Sequence, residues 1–300
     1  MPVAEQDIQQ IIQRIDPGWT LRNIQPPQGR ASALHISTDG RKEKHLILLT
    51  HSQGARRHSP VGDRERNPHI ARDEFRLLRT LKERGLPVAD ALYLSEEHQP
   101  PFLITSFAEG STRFSGGPLR AFCHRLAAIL YSIHSLDLSQ YDLSFLPNVD
   151  DAITREQKPR ASEQDRIHAA MQRARPRVEC NAPALLHGDF WPGNLLWIGD
   201  ELSAIIDWED AMLGDPLADL GKSRLEILWA LGPGAMSAYT GDYLGLNRML
   251  NVTALPFWDL WGASRLSHYA SFAPKPDNLS QMGTQYESFV ADAIQRLEAL

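Results

Sequence analysis

The chain reads as an α+β protein built as two lobes, sheet-rich over residues 1–107 and mainly helical over residues 108–300. Three observations predict this. Apolar alternation and turn residues dominate between residues 20 and 106, interrupted by one long amphipathic pattern. Helical apolar spacing dominates from Pro118 onward. A single short strand-turn-strand unit, "NLLWI", "GDE" and "LSAIID", interrupts the helical part.

Taken in order, Ile8, Ile11, Ile12 and Ile15 recur at helical spacing, and "DPGW" stops that helix. "LRNIQPPQGRAS" supplies a strand and a turn. "ALHIS" and "HLILLT" make a hairpin about "TDG". Residues 51–68 lack any apolar period and are expected to form a long surface loop. "HIARDEFRLLRTLKER" is an amphipathic helix with Phe75, Leu78 and Leu81 on one face, ended by Gly85. Two strands follow, around a polar turn, in "LPVADALYLSEEHQPPFLITSFAEG". Beyond Pro118, helices are expected at "PLRAFCHRLAAILYSIHSL", 155–175, 216–231, 234–251, 257–272 and 284–299.

A chain of 300 residues can bury a core without covalent staples. Two cysteines, Cys123 and Cys180, suggest no disulfide framework, and a reducing cytoplasmic setting is the default. The polar N-terminus has no secretory pattern, and no apolar run approaches the ~20 residues of a membrane helix. A soluble protein without a membrane partner is therefore expected. The net charge of −6 argues against nucleic acid as a partner.

The chemistry lies in residues 187–209. In "HGDFWPGN", Asn194 follows Asp189 by five positions, and Asp207 follows at the end of the next hairpin. Transfer of a phosphoryl group from a nucleoside triphosphate needs a group to orient or deprotonate the attacking hydroxyl. It also needs hard oxygen ligands for a divalent ion. Asp189 can supply the first. The Asn194 amide oxygen and the Asp207 carboxylate can supply the second, with the hairpin returning position 207 towards 194. A lone His-Gly-Asp is an ordinary turn; the full set points to ATP and Mg2+. A metal hydrolase using His187, Asp189 and Asp207 is the alternative metal reading, but no second histidine stands at ligand spacing nearby.

"LLHGDFWPGNLLW" and "AIIDWEDAMLGDPLADLG" closely resemble the aminoglycoside phosphotransferase family, which includes choline-kinase-like, fructosamine-kinase-like and homoserine-kinase-like enzymes. "ARDEFRLLRTLKERGLPVADALYL" resembles its long N-lobe helix and following strand, "PFLITSFAEG" its hinge, and "LAAILYSIHSLD" its first C-lobe helix. The resemblance implies a protein-kinase-like fold with nucleotide in the cleft between lobes. It implies Mg2+-dependent transfer of the γ-phosphate of ATP to a small-molecule hydroxyl. Residue by residue, it implies Asp189 as catalytic base and Asn194 and Asp207 as metal ligands. Glu74 falls where the family helix carries the partner of a strand lysine. Ser106, Phe107 and Ala108 fall at the adenine-contacting hinge. His187 would hold the catalytic loop in shape, and Asp215 and Asp219 would cap or brace the following helix. Trp191 and Trp208 would stack on substrate or simply pack, packing being the plainer role.

The chain departs from the family in its N-lobe. The strand that should carry a lysine or arginine reads "HLILLTHS", with Leu49 or Thr50 at the expected place. Lys44, Arg56 and Arg57 are the nearby basic residues, and Glu74 is left without an evident partner. "PPQGRAS" has one glycine where phosphate-covering turns have several. These departures raise a second reading, a catalytically impaired pseudokinase acting as a binding or regulatory protein. For the acceptor, the C-terminal helices offer Asp242, Trp258, Asp259, Trp261, Tyr269 and Glu287. Residues 181–300 hold 15 Asp and Glu against 6 Lys and Arg. Such side chains would suit a cationic alcohol, or serve only as surface and core.

Overall fold

Helix α1 (Glu5–Ile15) opens the chain in the computed structural model, which describes residues 3–28, 30–38, 42–51, 67–115, 117–156, 162–267 and 276–300. Strands β1 (Trp19–Ile24), β2 (Ala31–Thr38) and β3 (Lys42–Thr50) follow, then α2 (Ile70–Glu83), β4 (Ala91–Ser95) and β5 (Phe102–Ser106). Next come α3 (Leu119–His134), α4 (Val149–Glu156), α5 (Ser162–Ala174), β6 (Ala184–Leu186), β7 (Leu195–Ile198), β8 (Glu201–Ile205) and β9 (Met212–Gly214). The chain closes with α6 (Leu217–Leu231), α7 (Pro233–Leu246), α8 (Leu255–Arg265) and α9 (Pro276–Glu298). The chain forms two units. One comprises the described residues up to Arg113 with Leu195–Glu209; the other comprises Phe114–Asn194 and Asp210–Leu300.

In the first unit an antiparallel sheet runs in the order β1-β2-β3-β5-β4. Alternation sorts its side chains by parity. Leu34, Ile36, Leu46, Leu48, Phe102 and Ile104 form a core with Ile8, Ile11 and Ile12 of α1. The opposite parity, Ile47, Leu49 and Thr105, lines a cavity. On α2 the buried face is Glu74, Leu77, Leu78 and Leu81. The sequence reading placed Phe75 on that face; it is instead half-buried, with the Arg79 guanidinium 5.9 Å from its ring. That small rotation turns Glu74 inward, where an amphipathic helix normally keeps a solvated charge. The β7-β8 hairpin belongs to this unit. Trp197 exchanges backbone hydrogen bonds with Ser111, and the Ile205 N–H donates to the Pro87 carbonyl at 2.7 Å.

The second unit is helical apart from β6 and β9, which pair antiparallel with Leu185 opposite Leu213. Three residues are too few for alternation to reveal a strand, so these two escape sequence reading. Helix α8 ends at Arg265, short of the expected 272; Tyr269 lies outside the described residues, as do Arg56, Arg57, Gly29 and most of the 51–68 segment. Helices α6 and α8 meet through two glycines. A Cβ at Gly221 would lie 2.4 Å from the Trp258 carbonyl oxygen, and one at Gly262 would lie 2.5 Å from Lys222 Cα. Trp258 and Trp261 are fully buried, so both are core. No helix among the described residues is long and apolar enough to cross a membrane.

Candidate functional site

A cavity of about 370 Å³ lies in the first unit, lined by Arg30, Glu74, Ser106, Phe107, Ala108, Leu196, Asp207 and the apolar side chains of Ile47, Leu49 and Leu78. Leu49 is where the sequence reading expected a cation. The cation is Arg30, from the residue just before β2. In the β2-β3 ladder Ala31 pairs with Leu49, and the Thr50 N–H donates to the Arg30 carbonyl at 2.9 Å. Arg30 therefore stands across the ladder from positions 49–50 and reaches the same space. Its Nη1 and Nη2 each donate to a Glu74 carboxylate oxygen at 2.7 Å, a bidentate pair. Nη2 also donates to Asp207 Oδ1 at 2.9 Å, and Nε lies 3.2 Å from Glu209 Oε2. The expectation that Glu74 lacks a partner is thus corrected. Lys44, the described alternative, lies 4.2 Å from the centre of the Trp19 ring instead.

Burial opposes the charges in this cluster, but their mutual attraction outweighs it. Arg30 is held well above the ordinary guanidinium range by Glu74 and Glu209, and Glu74 well below the ordinary carboxylate range by Arg30 and His51. His51, 3.0 Å from Glu74, is lowered chiefly by its own burial and stays neutral near pH 7. Three carboxyl groups, Glu74, Asp207 and Glu209, thus face one guanidinium. Asp207 has φ 66°, the only positive value at a non-glycine among the described residues. Aspartate tolerates this region better than most residues.

Along the cavity, the Ser106 N–H donates to the Asp90 carbonyl at 2.9 Å, and the Phe107 N–H donates to the His45 carbonyl at 3.3 Å. Among the described residues the Ala108 N–H has no protein acceptor. Phe107 is 44% exposed. Trp208 is buried and donates its indole N–H to the Ile205 carbonyl, so it packs.

In the second unit the loop after β6 brings Asp189 and Asn194 together. Asn194 Nδ2 donates to the Asp189 carbonyl at 2.8 Å and to its Oδ2 at 3.0 Å, leaving the Asn194 amide oxygen on its other side. His187 Nδ1 accepts the Asp189 N–H at 3.2 Å. Gly188 has φ +78°, and a Cβ there would fall 1.9 Å from the Asp210 carbonyl oxygen. Arg265 clasps the same turn, donating to the Gly188 carbonyl at 2.6 Å and to Asp210 Oδ2 at 3.0 Å. Asp215 accepts the Leu217 N–H at the start of α6 and two donors of Asn181.

Asp219 braces the loop directly. It accepts the N–H groups of His187 and Gly188 at 2.7 and 2.8 Å and lies 3.2 Å from His134 Nε2. Burial disfavours its charge, but His134 and the loop amide hold its pKa below the ordinary value. A depressed carboxyl stabilises the fold above its unfolded pKa and loses that contribution as pH falls. Asp219→Asn is therefore expected to lower the melting temperature at pH 7 and to shrink that deficit below about pH 4, as followed by circular dichroism.

Sequence reading missed Arg30, His51, His134, Glu209, Lys222, Glu226 and Arg265. Lys222, on α6, is 4% exposed at its side chain. Its Nζ lies 2.5 Å from Asp189 Oδ1 and 2.9 Å from Glu226 Oε2. The signal was available: "LADLGKSRLEILWAL" is apolar around the helix, so a lysine within it must be buried. The acids proposed for a cationic acceptor all have partners: Asp242 meets Arg120, Asp259 meets Arg224, and Glu287 meets Arg166. No group of three or more His, Cys, Asp and Glu able to hold a metal exists among the described residues. Mg2+ usually takes only one or two protein oxygens.

The model of the phosphotransferase enzyme family matches residues 55–249. The chain belongs to that family. Among solved structures, the chain resembles choline kinase LicA from Streptococcus pneumoniae, with TM-score 0.64, 16% identity and 99% of each chain covered. It also resembles a thermostable mutant of aminoglycoside phosphotransferase APH(4)-Ia in ternary complex with AMP-PNP and hygromycin B. There the TM-score is 0.63 at 15% identity, covering 95% of this chain and 98% of the other. These likenesses give the phosphotransferase a kinase-like fold. A mouse protein, acyl-CoA dehydrogenase family member 10, is 30% identical over 60% of this chain, and the match spans 19% of that protein.

Proposed function

We propose that this chain transfers the γ-phosphate of ATP to a hydroxyl of a small molecule with the help of Mg2+. The observation that carries the reading is the Arg30 cluster: a guanidinium bound to Glu74 and Asp207 in a cavity also lined by Ser106, Phe107 and Ala108. It supplies the strand cation whose apparent absence motivated the pseudokinase reading. AMP in LicA, and AMP-PNP in APH(4)-Ia, support nucleotide as the donor. The Ala108 N–H is available to an adenine ring, while Arg30 holds Glu74 and Asp207 at the cavity.

Asp207 and the Asn194 amide oxygen are hard oxygen donors of the kind Mg2+ takes, and they would be its ligands. Bound there, the ion would neutralise charge on the phosphates. Asp189 accepts the hydroxyl proton as the acceptor oxygen bonds to the γ-phosphorus. The bond from that phosphorus to the bridging oxygen of ADP breaks. His187 and Asp219 keep the loop in shape, and Asp215 anchors the start of α6.

Thermal shift tests the donor site. ATP with Mg2+ is expected to stabilise the wild type by about 2.7 kcal/mol at a hundredfold excess over Kd. Asp207→Ala is expected to abolish the Mg2+-dependent part. Absence of any shift at millimolar ATP would refute the nucleotide assignment.

A further inference from the structure

Lys222 places a buried ammonium on the carboxylate that accepts the proton. Its Nζ meets Asp189 Oδ1 while Asn194 Nδ2 meets Oδ2, so the carboxylate is gripped at both oxygens. Of the three N–H groups of the ammonium, Asp189 and Glu226 take two. The third has no protein acceptor among the described residues.

Burial opposes the charge of Lys222, but Asp189 and Glu226 together hold it above the ordinary lysine range, so it remains cationic at neutral pH. Burial lifts Glu226 to about 7 despite Lys222, which leaves Asp189 as the main counter-charge. Arg265 adds a second cation on the same turn, matched by Asp210. A further ammonium brought by a substrate to Asp189 would lie beside two cations, Lys222 and Arg265. Asp242, Asp259 and Glu287, the acids named for a cationic acceptor, each meet an arginine.

We propose that Lys222 is a positioning residue for phosphoryl transfer and selects the acceptor class: an alcohol, neutral or anionic, with no ammonium beside its reacting hydroxyl. This rests on the phosphotransfer reading and deepens it. Lys222 holds Asp189 in the orientation that takes the proton, and its third N–H receives the acceptor or phosphoryl oxygen.

The test measures kcat and KM for wild type, Lys222→Met and Lys222→Arg, with glycerol, glycolate, ethanolamine and kanamycin as acceptors. ADP release into water is the baseline. Glycerol or glycolate is expected to exceed both amines in kcat/KM by about tenfold or more. Lys222→Met is expected to lower kcat by about tenfold or more while KM for ATP moves less than about twofold, and Lys222→Arg to recover part of the loss. A purely structural lysine would lower the melting temperature without that split. A preference for ethanolamine or kanamycin, or an unchanged kcat in Lys222→Met, overturns the proposal. If no alcohol reacts, Asp189-dependent ADP release carries the same comparison, and an equal rate in Lys222→Met overturns it. A wild type with no Asp189-dependent release removes the phosphotransfer reading itself, a distinguishable result. Should Lys222→Met fail to fold, Lys222→Gln takes its place.

Discussion

Asp189→Asn is expected to give a folded protein that still binds ATP with Mg2+ but transfers phosphate about 10²–10⁴-fold more slowly, the range that a positioned base contributes. The substitution keeps the shape of the side chain. Its carbonyl can still accept from Lys222 or Asn194, the two groups that now hold the carboxylate. What it loses is the capacity to accept a proton. The loss should therefore fall on kcat, with the nucleotide-induced thermal shift unchanged. Near-normal turnover in this variant would refute the role assigned to Asp189.

Arg30→Met is expected to be the most damaging change in the first unit. It removes the shared cation from Glu74, Asp207 and Glu209, and His51 is too weakly basic to replace it. Breaking a buried ion pair on one side costs about 3–5 kcal/mol, because the remaining charge stays buried. Denaturant unfolding at pH 7 should show a loss of this size, with Arg30→Lys intermediate because it cannot grip both Glu74 oxygens. The pH dependence has a definite sign. In the wild type Glu74 is depressed, so its contribution is present above the ordinary glutamate pKa and is lost as pH falls. Without Arg30, burial alone raises Glu74 and favours its neutral form. The deficit of Arg30→Met should therefore shrink between pH 7 and pH 4. A deficit that stays constant over that range would mean that Glu74 does not sense Arg30.

The difference between what the sequence revealed and what it hid is one of contact range. The strands β2 and β3, the helix α2 and the hairpin β7-β8 announce themselves by local periodicity and turn residues. Asp189, Asn194 and Asp207 could be proposed from the sequence because they sit within one short stretch. Arg30 was not, because it acts on Glu74, 44 positions away, and on Asp207, 177 positions away. The reading looked along the strand "HLILLT" for a cation and not across its ladder, where Arg30 faces Thr50. Lys222 was hidden likewise, 33 positions from Asp189. Its burial was readable from the apolar helix around it; its partner was not. The acids of the C-terminal helices misled in the opposite direction. Their charge is visible in composition, but Arg120, Arg166 and Arg224, which neutralise it, are recognised only in three dimensions.

On the role proposed for Lys222, the contact at Gly262 would give remote control over selectivity. A methyl group there would act as a wedge against the backbone of Lys222, tilting α6 and drawing the ammonium off Asp189 without altering a single charge. Divergence in acceptor choice among related enzymes could then begin at a helix crossing that no ligand touches, and a search confined to residues around bound molecules would overlook it.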